Sequence, residues 1–220
     1  MTDIDYKLVR SKRKTLSLVI DSDASLTVRA PLRMPEREIE AFIEKKAAWI
    51  AAKQREMEVR SNKYEKLVVE NGAGFLYFGR PYTIMKCGTD AIKTEENKIL
   101  VKYDTDIDDI VKWMKETAAD IIKRRTEFYA QIMNVKYSAV KISGAKTRWG
   151  SCSAKNSLNF SWRLVMCPPQ VIDYVVVHEL AHIIHKNHGR DFWAMVEKYM
   201  PNYKAYRKWL RDNSRIMEII

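Results

Sequence analysis

Apolar and polar residues alternate over the first thirty positions. Residues 6–9, 15–20 and 25–29 read as strands separated by polar or turn residues. From Pro35 the period lengthens. Ile39, Phe42, Ile43, Ala47 and Ile50 fall at helical spacing, which predicts a helix from 35 to about 59 with the proline in its first turn. Residues 71–74 read as a turn. Two strand candidates follow, 75–87 and 98–103, with a turn at 95–97. Gly79 and Pro81 mark a bend or an edge in the first of them.

A long helix is predicted over 106–134. Ile110, Trp113, Met114, Ala118, Ile121 and Ile122 form its apolar stripe, and Lys123, Arg124 and Arg125 mark a wet face. Residues 135–143 and 156–164 read as strands around the segment 147–153. In the second strand Leu158, Phe160 and Trp162 alternate with Asn159, Ser161 and Arg163 on the opposite face. Pro168 and Pro169 start a helix that runs through a set of histidines. Gly189 and Pro201 then punctuate two shorter helices, 190–199 and about 202–213. The pattern describes an α+β protein: a β-rich N-terminal region with one helix over 1–104, then a long helix opening a C-terminal unit over 105–220. Nothing in the middle is rich in Gly and Ser, so no flexible linker is expected.

Composition narrows the class. With 46% apolar and 30% charged residues, the 220-residue chain has the balance of a soluble globular protein rather than a disordered one. No apolar run approaches the ~18 residues of a membrane span. The N-terminal residues contain no apolar segment of the kind a secretory signal needs. Cys87, Cys152 and Cys167 are odd in number and never form C-x-x-C, as in a reduced, cytoplasmic protein. The net charge of +11 favours acidic partners, and nucleic acid is among them. Part of it is local: from Lys186 to Arg215 eight Lys and Arg stand against Asp191, Glu197 and Asp212.

The candidate chemistry lies just before that basic stretch. All four histidines of the chain, His178, His182, His185 and His188, fall in the run HELAHIIHKNH. Its first five residues are H-E-x-x-H. Residues four apart on an α-helix lie about 40° apart around the axis and roughly 6 Å along it, so His178 and His182 can converge on one ion. Glu179 then stands beside an open coordination position, where it can act as general base toward water. Four packed imidazoles without a metal would repel one another when protonated and would leave Glu179 buried without a partner. A purely structural zinc would not need the adjacent glutamate.

A catalytic zinc usually has three protein ligands. His188 is the expected third, provided the chain turns back after His185. Asn187 and Gly189 tolerate the left-handed conformation of a helix C-terminus and would allow that turn. His185, seven residues after His178, is a rival ligand whose plainer role is to support the site from outside it, and Glu197 on the following helix is a second rival. The histidine spacing is that of the metzincins, but His185 occupies their glycine position and no Met-turn follows. In the neighbouring segment, the edge of the strand over 156–164 could pair with an extended peptide above the histidine helix, and Arg148 could stabilise a developing oxyanion. Cys152 is a weak candidate nucleophile.

These motifs carry a resemblance. RWGSCS, NSLNFSWRL, PPQVIDYVVVHELAH and the NH-x-x-x-FW run together resemble the YgjP-like metallopeptidase family, which is similar to the SprT/Spartan and WLM proteases. The match is most specific over about 140–210. It implies an α+β, zincin-like C-terminal core with the active-site helix packed against a small sheet. It also implies Zn2+ on His178, His182 and His188, with Glu179 as catalytic acid and base. Arg148, Trp149 and Asn159 fall within the family's motifs without an assigned role. The reading is therefore a zinc-dependent metallohydrolase, foremost a metallopeptidase acting on peptide or protein, with no membrane and no obligate partner. The resemblance also admits two alternatives: a pyrophosphatase for uridine triphosphate at the same site, and a DNA-associated protease or binding module.

Overall fold

The computed structural model describes residues 4–21, 23–61 and 66–220. The chain packs as two compact units, Met1–Glu65 and Lys66–Ile220. In the first, β1 (Lys7–Ser11), β2 (Ser17–Ile20) and β3 (Leu26–Pro31) form a sheet in the order β1-β3-β2. The central strand runs parallel to β1 and antiparallel to β2. Leu26, Val28 and Ala30 point from β3 into a core closed by Ile39, Ile43 and Ile50. Those three isoleucines come from two helices rather than one. The helical stretch pauses at Lys46, so α1 (Glu36–Lys45) and α2 (Ala47–Ser61) replace the single helix expected over 35–59.

The second unit begins with a four-stranded sheet in the order β4-β5-β7-β6. The expected strand 75–87 is a hairpin, β4 (Gly74–Tyr77) and β5 (Arg80–Lys86). Phe78 and Gly79 both take positive φ, 48° and 73°, which is the two-residue turn that matches strand twist. Here glycine is required twice over, because a Cβ at Gly79 would lie 2.5 Å from Pro168 Cγ. The short strand β6 (Lys93–Glu95) was not signalled by any apolar alternation; it is exposed and, among the described residues, pairs only with β7 (Lys98–Val101).

The long helix α3 (Ile107–Met133) starts where Asp106 accepts from the Asp108 and Asp109 amides in a capping box, and it ends at Asn134 in the left-handed conformation. Its stripe buries Ile110, Met114, Ala118 and Ile122. Arg125, expected on the wet face, instead makes a two-pronged ion pair with Asp173 at 2.5 and 2.6 Å. The pair ties α3 to α4 (Pro169–Ile184), the helix that carries the histidines.

A three-stranded sheet, in the order β8-β10-β9, flanks α4. β8 (Ala139–Ser143) runs parallel to β10 (Ser157–Ser161), and β9 (Gly150–Cys152) runs antiparallel to it at the sheet edge. β9 comes from the segment read as a connection between strands. The strand expected over 156–164 stops at Ser161, and the chain tightens into a 3-10 turn over Trp162–Met166 in which every residue is buried. Arg163 therefore does not face solvent as strand alternation predicts. It stacks on Trp162 at 4.5 Å and donates to the Gly144 and Ile220 carbonyls at 3.1 and 2.7 Å. α5 (Arg190–Tyr199) and α6 (Tyr203–Asp212) complete the unit and pack on α4. The α+β class is thus as expected, with the histidine helix against a small sheet. Among the described residues no helix is long and apolar enough to cross a membrane.

Candidate metal centre

α4 is a core helix. Val171, Ile172, Tyr174 to Val177, Leu180 and Ala181 are buried. His178, Glu179 and His182 are the polar residues of its C-terminal half. The helix ends at His185, whose backbone is extended (φ −115°, ψ 102°). The chain then folds back, and α5 begins after Gly189. The return does not use the expected left-handed residues: Gly189 has φ −74° and Asn187 is not among the positive-φ positions. An extended exit at His185 does the same work, because it abandons the helix axis at once.

The return brings His188 to the other two histidines. The nearest nitrogens of His178, His182 and His188 all lie within 4.8 Å of one another, and His178 Nε2 and His188 Nε2 are 3.1 Å apart. Two nitrogens held at about 2.05 Å by one tetrahedral ion stand roughly 3.3 Å apart, so the spacing fits a shared ion. His182 Nδ1 donates to the His185 carbonyl at 3.0 Å, which leaves Nε2 as its free lone pair. The part of His185 that touches the site is therefore its backbone, and its ring lies outside the cluster. Glu197 is exposed and sits 3.9 Å from Lys204, also outside it.

Phe192 is the floor of this arrangement. Its ring is 1% exposed, and its centroid lies 4.9, 4.5 and 4.8 Å from the rings of His178, His182 and His188. Trp193 stacks beside His188 at 5.6 Å with only 26° between planes. Sequence reasoning placed both residues in a motif without giving them a role. The signal was their position three and four residues after Gly189, one turn into the next helix.

Burial sets the charge states. Loss of hydration pushes His178 down to about 3, helped by His182, His188 and Arg207. His182 is also lowered, chiefly by burial. Neutral imidazole is the form that ligates metal. His178 Nδ1 is buried without a hydrogen-bond partner. Imidazole nitrogens brought this close together fit a divalent cation with a preference for nitrogen. Glu179 is 5% exposed, and burial pushes its carboxyl up to about 8. Tyr174, one turn before His178, is pushed to about 12 by burial and stays protonated.

Glu179 lies against the edge strand. A Cβ at Gly150 would meet its Oε1 at 2.7 Å and its Cδ at 2.9 Å. The glycine of RWGSCS is therefore the space that the carboxylate occupies. Lys186 Nζ donates to Asn156 Oδ1 at 2.9 Å, joining the end of α4 to the turn between β9 and β10. Arg148 is exposed just before β9, Trp149 accepts the Ser161 amide through its carbonyl at 2.9 Å, and Asn159 pairs in register with Ser151. Cys152 is half-buried and its thiol is raised by burial, the opposite of an activated nucleophile.

Comparison with known proteins gives this geometry a context. The profile of a family described as YgjP-like, metallopeptidase domain matches residues 14–213. No curated protein matches. Two solved structures show local likeness: the metallopeptidase zymogen of Pyrococcus abyssi abylysin (22% identity, TM-score 0.38, 40% of this chain and 90% of that one) and that of Methanocaldococcus jannaschii jannalysin (23%, 0.37, 45% and 97%). The profile spans nearly the whole chain, including all three clustered histidines and Glu179. The chain belongs to the YgjP-like metallopeptidase-domain family and is a metal-dependent hydrolase.

Proposed function

We propose that the protein is a zinc-dependent peptidase in which His178, His182 and His188 hold the ion and Glu179 is the general base. One observation carries this reading: three imidazoles converge beside a buried carboxyl that is itself pressed against the edge strand β9. The donor set is all nitrogen, which suits zinc among the common divalent ions. When bound, zinc supplies Lewis acidity and lowers the pKa of water to about 7.

The chain's own groups do the rest. The Glu179 carboxylate accepts a proton from the attacking water and delivers it to the leaving amine. Both edges of β10, the strand expected to take a peptide, are paired, whereas among the described residues β9 pairs on one side only, so its outer edge can add an extended peptide as a further antiparallel or parallel strand. β9 touches Glu179 at Gly150, so a backbone paired along this strand would run close to the general base. The chain lacks the G-x-x-x-x-G-K-[ST] loop that cradles phosphates, which favours peptide over nucleoside triphosphate. The cytoplasm, where the three cysteines remain thiols, is the proposed compartment.

The test is metal analysis of the purified protein followed by parallel assays on a peptide library and on nucleoside triphosphates, using wild type and E179Q. One equivalent of zinc, peptide cleavage by wild type, and none by metal-loaded E179Q are the expected results. Release of phosphate or pyrophosphate without peptide cleavage would overturn the peptidase reading, and full peptidase activity in E179Q would overturn the role of Glu179.

A further inference from the structure

The last helix sets a cation beside the histidine cluster that the proposed reaction does not use. α6 carries Lys204, Arg207, Lys208 and Arg211. Three of these have acidic neighbours: Lys204 lies 3.9 Å from Glu197, and Lys208 and Arg211 both reach Asp212. Arg207 is exposed and has no carboxylate partner among the described residues. It is nevertheless held. Its guanidinium carbon stands 5.0 Å from the centre of the Trp193 indole. That indole is fixed in turn by Tyr203, stacked at 5.1 Å with 18° between planes.

The same indole reaches the metal-facing rings, 5.6 Å from His188 and 5.9 Å from His178. Arg207 and His188 thus share one aromatic neighbour. The gap between the guanidinium and the imidazole cluster is within the reach of two or three residues of extended chain, at about 3.3 Å each. A guanidinium seated on an indole keeps its N–H groups around the rim of its plane, where they fit the two oxygens of a carboxylate. The stack also removes much of the rotamer freedom that an exposed arginine would otherwise lose on binding. The overall charge of +11 draws anionic substrates in the same direction.

We propose that Arg207, seated on Trp193, binds a substrate carboxylate beside the reacting bond and makes the enzyme selective for peptides that carry an acidic group there. This rests on the peptidase reading. The carboxylate has two possible sources of the same chemistry, an Asp or Glu side chain or the free C-terminus of the peptide.

Two sets of paired peptides test it: one set exchanges Asp for Asn near the cleaved bond, the other exchanges a C-terminal acid for an amide. Wild type should prefer the acid member of one set by tenfold or more in kcat/KM, mainly through KM, and that set names the source. R207Q should bring the ratio close to one, and R207K should restore only part of it. A wild type indifferent to both exchanges, or an R207Q that loses acid and amide substrates equally, would overturn the proposal. The same peptides are then titrated into zinc-loaded E179Q and E179Q/R207Q, reading Kd by calorimetry. If no peptide is cleaved at all, the peptidase reading fails, and this titration still decides: tighter binding of the acid member that depends on Arg207 sustains the carboxylate site, and equal binding of both members sinks it.

Discussion

A Cβ at Gly150 would lie 2.7 Å from Glu179 Oε1, closer than real Cβ contacts come. The edge strand and the Glu179 carboxyl therefore share one space, and only glycine leaves room for both. G150A should push the carboxylate aside or lift the strand. Misplacing a catalytic group by about 1 Å costs on the order of 100-fold in rate. We expect kcat to fall by about that factor while zinc stoichiometry stays at the wild-type value, because the three atoms nearest the added methyl all belong to Glu179. Parallel activity and metal measurements check this. Unchanged kcat in a folded G150A protein would remove Glu179 from the role assigned to it.

Phe192 should control how tightly the metal is held without touching it through any polar atom. It contacts all three imidazoles and is 1% exposed. F192A removes the floor and leaves a cavity, at a stability cost of about 3–5 kcal/mol. F192L keeps most of the volume and should cost less, yet it loses the flat face that orients the rings. We expect F192L to stay folded and to bind zinc about 10-fold or more weakly, in the range seen when support of a metal ligand is removed. Competition with a chromogenic chelator measures this.

How far the site could be read from residue order follows from the range of each interaction. His178, Glu179 and His182 were legible because they sit within one helical turn, where spacing alone sets the geometry. His188 was legible as a candidate, but the route to it was not: the extended backbone at His185 depends on where α5 packs, not on a local turn signal. Gly150 and Arg207 come from 29 residues before and 28 residues after Glu179, and no period connects them to it. The same rule holds for the fold. The capped helix α3 and the apolar helix α4 followed from pattern. The three-residue strand β9 and the buried Arg163 did not, because both are decided by partners far along the chain.

Asp173 should contribute to stability and not to chemistry. It binds Arg125 through both oxygens, accepts from the Tyr129 hydroxyl at 3.2 Å, and has a side chain that is 15% exposed against 37% for Arg125. A pair of this kind lies between the exposed and buried limits, so D173N should cost about 1–2 kcal/mol. Thermal unfolding of D173N should show the loss while zinc content per chain is unchanged. Loss of zinc at a temperature where the variant is fully folded would show instead that the α3–α4 tie positions the ligands.

The metal-free protein should become less stable as pH rises above neutrality, and Glu179 should be the cause. Burial raises its carboxyl from the ordinary value near 4.5 to about 8. The folded state therefore holds a proton that the unfolded chain has released, and the stability this provides is complete below about 4.5 and is lost as pH rises through 8. The slope is at most about 1.4 kcal/mol per pH unit. His178 works in the other direction. Its value is lowered from 6.5 to about 3, so its contribution is complete above 6.5 and is lost as pH falls toward 3. Between pH 6.5 and 8 the raised Glu179 carboxyl lowers stability while the lowered His178 and His182 no longer act, and E179Q removes the Glu179 change while leaving the histidines in place. The difference in unfolding free energy between chelator-treated E179Q and wild type should thus widen from pH 6.5 to pH 8 and level off above it. Denaturant unfolding at a series of pH values measures the difference directly. A difference that stays flat across this window would mean that Glu179 is already ionised in the folded protein without metal.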